Sequence, residues 1–81
     1  MSPKALVIMA EGAEDMETVI VVNILRRGNI DVTLASLSDE GSSSPVTCSR
    51  SIKIMPDCSL KEAWNEGKAK FDAVVLPGNY V

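Results

Sequence analysis

Residues 4–28 read KALVIMAEGAEDMETVIVVNILRRG, and this stretch decides the fold. Residues 4–10 form a continuous apolar run without alternation, the pattern of a strand covered on both faces, as in parallel sheets. Glu11 and Gly12 break the run. Residues 14–27 then contain neither Gly nor Pro, carry acids in the first turn and Arg26 and Arg27 in the last, and are followed by Gly28. That arrangement predicts a helix whose dipole is complemented at both ends and which stops at a glycine. At a period of about 3.6 residues, Val19, Ile20, Val21, Val22, Ile24 and Leu25 spread nearly all the way round it, so the helix needs cover on two sides. One side is its own sheet. The other calls for a later part of the fold or a second subunit.

Outward from this unit, residues 31–37 (DVTLASL) predict a second strand, and strand, helix, strand within so short a span is a βαβ unit with parallel neighbours. Residues 38–45 (SDEGSSSP) read as a solvated loop, and residues 46–55 (VTCSRSIKIM) as one or two short strands, an antiparallel edge hairpin ended by Pro56. Residues 59–62 (SLKE) fit a capping box that opens a helix of about two turns bounded by Gly67, with Leu60, Ala63 and Trp64 as its expected buried face. Residues 71–76 (FDAVVL) predict a third central parallel strand, ended by Pro77 and Gly78. The fold class is therefore α/β with a mostly parallel sheet. At 81 residues the chain is short for that architecture, which usually takes roughly 100–150.

Composition narrows the function classes. Eight basic residues against eleven acidic ones give a net charge of −3, which attracts neither nucleic acid nor an anionic membrane. The apolar runs are too short to span a bilayer, and a cytosolic location is the default expectation. Two cysteines and no histidine make neither a disulfide framework nor a metal site. The first turn has no G-x-G-x-x-G and no G-K-[ST], so dinucleotide and P-loop phosphate cradles lack support. A receiver-type phosphoacceptor would need an Asp where the third strand ends in Leu76, Pro77 and Gly78.

The acidic turn EGAEDME allows two readings. Glu14, Asp15 and Glu17 can simply favour the helix N-terminus, at a few tenths to about 1 kcal/mol each. Alternatively, a turn at the carboxyl end of a central strand is where open α/β sheets place their active sites, and one of its four carboxylates points into a pocket. Spacing does not choose among them. Neither Cys48 nor Cys58 is expected at a strand-to-helix turn that would activate a thiolate, although Cys58 comes closest. Arg50 reads as a solvated edge charge or as an interface or anion contact.

Taken together, KALVIMAEGAEDMETV, the RRG after the helix, IDVTLASL, TCSRSIKIMPDCSL and FDAVVLPG resemble, in order and spacing over residues 4–78, the N-terminal part of the DJ-1/PfpI superfamily, above all its eukaryotic branch. The resemblance implies a flavodoxin-like sandwich, with residues 1–81 forming an incomplete domain that lacks the nucleophile elbow and the C-terminal helices. It implies homodimers, and a parent protein that protects against oxidative stress as a cysteine-dependent glyoxalase or deglycase. Such a parent acts on methylglyoxal or early glycation adducts without cofactor or metal. Nuclear and mitochondrial pools beside the cytosolic one are a further implication. Glu17 matches the buried glutamate that hydrogen-bonds the reactive cysteine, and Gly78 matches the turn lining the pocket. Met16, Arg27 and Arg50 match positions at or near the dimer contact. Departures accompany the match: Asn79 stands where the turn usually has a second Gly, Met55 stands where some relatives carry an oxidisable cysteine, and neither Cys48 nor Cys58 matches the nucleophile. The expectation is a chain inactive by itself, or alternatively a non-catalytic module that pairs with full-length subunits through its first helix.

Overall fold

A computed structural model describes residues 2–37 and 44–78. The chain runs β1 (Lys4–Met9), α1 (Asp15–Arg27), β2 (Asp31–Ser36), β3 (Val46–Thr47), β4 (Lys53–Ile54), β5 (Cys58–Ser59), α2 (Leu60–Trp64) with a single 3-10 turn (Asn65–Gly67), and β6 (Ala73–Val75). The sheet order is β5-β2-β1-β6 and every pairing in it is parallel. The expected α/β class and parallel sheet are thus present. Most of the loop expected over residues 38–45 lies outside the described residues, as does Asn79.

Register explains the two layers. Val7 sits between Leu34 of β2 and Val75 of β6, while Leu6 sits between Thr33 and Val74. Because side chains alternate across a strand, Ala5, Val7, Met9, Val32 and Leu34 share one face, where they form the core with Val22 of α1. Leu6 and Val74 face the other way, toward Leu60 and Trp64 of α2. The crossover through α1 leads from β1 to β2, whereas the one through α2 leads from β5 back past β2 and β1 to β6. Opposite directions of travel along the sheet put the two helices on opposite faces.

Three expectations need correction. Residues 46–55 do form an antiparallel hairpin, but β3 and β4 make a two-stranded sheet of their own and not an edge of the main one. The hairpin instead caps the carboxyl end of β1, contributing Val46 and Cys48 to the core. Secondly, the sheet gains a strand that was not foreseen, β5, whose two residues are too few to show periodicity; with it, the run through residues 71–76 ends up as the shorter β6 at an edge of the described sheet. Thirdly, the capping box of Ser59 and Glu62 forms as expected, yet no residue of α2 is buried and Trp64 is 57% exposed. Nothing among the described residues covers the groove of ≈ 530 Å³ where Leu6, Leu37, Leu60, Trp64, Phe71 and Val74 meet. The same holds for the outer side of α1. Its buried residues are Asp15, Thr18 and Val22, whereas Met16 is 67% exposed and Val19, Ile20 and Ile24 stand out beside it. One of the two sides that sequence periodicity wants covered is open.

Candidate functional site

In the order β5-β2-β1-β6 the chain reverses its direction of travel between β1 and β6. Open parallel sheets bind ligands at such a reversal, in the crevice beyond the carboxyl ends of the two strands. Here the crevice lies between the acidic turn that follows β1 and the Pro77-Gly78 turn that follows β6.

The turn is built by local geometry. Gly12 has φ +83, a left-handed conformation that strains other residues, and the Ala13 N–H closes the turn on the Ala10 carbonyl at 3.0 Å. Glu14 is the N-cap of α1, its Oε1 accepting the Met16 N–H at 3.1 Å. The Thr18 hydroxyl donates back to the Glu14 carbonyl at 2.8 Å.

The four carboxylates, equivalent in the sequence, take four different places. Glu11 reaches the hairpin, where its Oε2 accepts the Thr47 N–H at 3.2 Å. Glu14 caps. Asp15 is buried, 5% exposed; its Oδ1 accepts the Met16 N–H at 2.8 Å and its Oδ2 has no partner among the described residues. Glu17 is exposed and crosses the crevice: a Cβ placed on Gly78 would lie 2.8 Å from Glu17 Oε2. Residues 61 positions apart in sequence thus meet across the switch point.

Both thiols are held protonated. Burial pushes the Cys48 thiol up, and the carboxylates of Asp15, Glu11 and Glu14 push in the same direction. Cys58 does sit at a strand-to-helix junction, contrary to expectation, since β5 runs straight into α2 with Ser59 as N-cap. Burial nonetheless raises its thiol too, helped by Glu62 and Asp57. The helix is five residues long, and acids flank the sulfur.

Met16 and Arg50 come together, and Arg27 does not join them. The hairpin tip is tied to the acidic turn by Gly12 N–H to the Thr47 carbonyl and Ser49 N–H to the Ala13 carbonyl, both 2.9 Å. This places Arg50 and Ile52 beside α1, leaving an apolar groove of ≈ 460 Å³ bounded by Met16, Val19, Ile20 and Ile54, with Asp15 and Arg50 as its charged residues. Arg27 lies in the last turn of the helix, lining a separate groove with Asn23 and Arg26.

Sequence reasoning held Asp15 as one of four equivalent carboxylates and missed Asp57 altogether. Asp15 is distinguished by burial under the hairpin, for which no local signal exists. Asp57 acts as a clasp on β2: its N–H donates to the Leu34 carbonyl at 2.7 Å, while its Oδ2 accepts the Leu34 N–H at 2.8 Å and Arg26 Nη2 at 2.9 Å. The proximity of P-D to the predicted helix offered a turn signal, but its partner lies 23 residues away.

Residues 3–80 match the DJ-1/PfpI family. The chain belongs to this family. Parkinson disease protein 7 homolog of Danio rerio is 51% identical over 75 residues, covering 93% of this chain and 37% of the relative. Glutathione-independent glyoxalase DJR-1.2 of Caenorhabditis elegans is 35% identical over 75 residues, 91% of this chain and 37% of that protein. The crystal structure of Drosophila melanogaster DJ-1beta superposes with a TM-score of 0.86 at 49% identity, over 99% of this chain and 40% of its own. The flavodoxin-like architecture of the DJ-1/PfpI family is therefore the fold of this chain, which spans well under half the length of these relatives.

Proposed function

We propose that this chain carries the carboxylate side of a DJ-1-type aldehyde-processing site, the nucleophilic cysteine coming from the part of such a domain that the match does not span. The observation that carries the reading is Glu17 lying across the switch point from Gly78. The C. elegans relative, named a glyoxalase, supports the substrate class. In this reading a thiolate adds to the aldehyde carbon of methylglyoxal, the carbonyl π pair moves to oxygen, which takes a proton from water to give a hemithioacetal, and Glu17 serves as the hydrogen-bond partner of the sulfur. Deglycation of early glycation adducts and protection against oxidative stress extend the same chemistry, in the cytosol and in other compartments where family members act.

The 81-residue chain alone does not turn over substrate in this account, because both of its thiols are held above their ordinary range. The test is methylglyoxal consumption by the purified chain. No turnover is expected; turnover abolished by Cys48→Ser or Cys58→Ser would overturn the assignment.

The open face of α1 favours a second reading, in which the chain pairs with a DJ-1-type subunit through that helix. Pairing as a homodimer is the simplest form. Native mass spectrometry of the purified chain tests it, a dimer being expected.

A further inference from the structure

On the sheet face opposite α1, the groove of ≈ 530 Å³ between Leu6, Leu37, Leu60, Phe71 and Val74 is lined by only two polar groups, the indole N–H of Trp64 and the ammonium of Lys61. Pockets of this size and character, mostly apolar with a few polar groups that fix orientation, are where small molecules bind. Ala69 and Phe71 also line a second groove at the amino ends of β1 and β2, which carries Lys4, Lys68 and Lys70 against Asp31 and Asp72. Four of the chain's eight basic residues thus border one stretch of surface, on a chain whose net charge is −3. None of the four ammonium groups has an ion pair or a hydrogen bond among the described residues. Asp72 is already engaged, its Oδ2 accepting the Lys4 N–H at 2.7 Å.

We propose that this groove binds a fatty-acid-like amphiphile, its unbranched acyl chain along Leu6, Leu60, Trp64 and Val74 and its carboxylate among Lys61, Lys68 and Lys70. The apolar wall calls for a chain without polar atoms, because a polar group placed there would lose water and gain no partner. The unpaired lysines beside it call for a single negative head. A cationic amphiphile would meet like charge, and a neutral one would leave the ammonium groups as they are. An isologous contact applies one patch to itself, so a second copy would bring its own lysines against these. A concave groove fits one acyl chain, whereas insertion into a bilayer needs a protruding surface. The crevice between Glu17 and Gly78 contributes nothing to this groove.

Trp64 is the only tryptophan and is 57% exposed, so its fluorescence reports on the groove. The 81-residue chain is titrated with octanoate, decanoate and dodecanoate below their micelle concentrations while emission and acrylamide quenching are followed. A saturable blue shift and reduced quenching are expected, with Kd falling roughly fourfold for each added methylene, the value for burying one such group. Decanol and decyltrimethylammonium should bind at least about tenfold more weakly than decanoate, and Lys61→Glu should weaken decanoate by a similar factor. Lys53→Glu makes the same change in net charge on β4, away from the groove, and should leave binding unaltered. Leu37→Asp, at a half-exposed position where folding tolerates a charge, should abolish the shift. Equal affinity for decanol, or equal effects of Lys61→Glu and Lys53→Glu, overturns the carboxylate site. A blue shift that grows with protein concentration without amphiphile shows the groove taken by a second copy, and one produced by phosphatidylglycerol vesicles but not by decanoate shows a bilayer surface; either overturns the proposal.

Discussion

Single residues are given distinct tasks here by burial and by distant partners. Asp57 replaces a missing ladder partner of β2, and its carboxylate binds both a buried N–H and Arg26. The ion pair itself is about half exposed on both sides, and such pairs contribute roughly 0–1 kcal/mol. The hydrogen bond to Leu34, whose residue is buried, matters more. Asp57→Ala should therefore cost about 1–3 kcal/mol by leaving that donor unsatisfied, whereas Asp57→Asn, which keeps an acceptor oxygen, should cost less than about 1 kcal/mol. Urea midpoints compare the two; equal losses would show that the ion pair and not the backbone bond is what Asp57 supplies. The thiols give a second residue-scale expectation. Since Cys48 is raised first by burial and then by Asp15, Asp15→Asn should shift the pH profile of Cys48 alkylation toward lower pH while leaving Cys58 unchanged. The folded chain holds these protons more tightly than the unfolded one. Their contribution to stability is thus complete below the ordinary thiol pKa and is lost as the pH rises through the raised folded values.

At the level of elements, α2 is the informative case. Its five residues bury nothing fully, so the helix depends on its ends more than a packed helix does. Ser59 Oγ accepts the Glu62 N–H at 3.1 Å, and Glu62 Oε1 accepts the Ser59 N–H at 3.0 Å. Ser59→Ala should cost about 1 kcal/mol, read as an approximately fivefold loss of hydrogen-exchange protection at the Glu62 amide. Unchanged protection would mean that packing of Leu60 and not the cap holds the element. By contrast, α1 rests on the sheet along one side while its cap and terminal charges secure its ends, and its open side is free to make contacts.

At the scale of the whole molecule, the described residues expose apolar surface on α1 and on the α2 face of the sheet, among other places. If a second copy closes the first, the second remains, with β6 as a sheet edge and Val74 and Leu76 59% and 66% exposed. Edges of that kind template association with other chains. Light scattering on warming should accordingly be delayed by Val74→Lys and Leu76→Lys, with no change in the proportion of dimer seen by native mass spectrometry. If these charges leave scattering unaltered, aggregation proceeds through another surface.

The sequence by itself determined the strands and helices whose signals are local: an unalternating apolar run for β1, a capped and charge-complemented α1, the Ser59 box of α2, and the motif order that marks the family. These depend on residues within about four positions of one another along the chain or on turn chemistry. Tertiary structure alone decided which carboxylate of EGAEDME is buried, which one meets Gly78, where the hairpin docks and which apolar faces stay open. Sequence reading placed Glu17, Gly78, Met16 and Arg50 among the residues of interest through family resemblance. It could not rank Asp15 above Glu14, because the burial that sets Asp15 apart comes with the hairpin packed over the acidic turn, more than 30 residues further along the chain. Burial depends on contacts between segments distant in sequence, and neither spacing nor composition encodes those contacts.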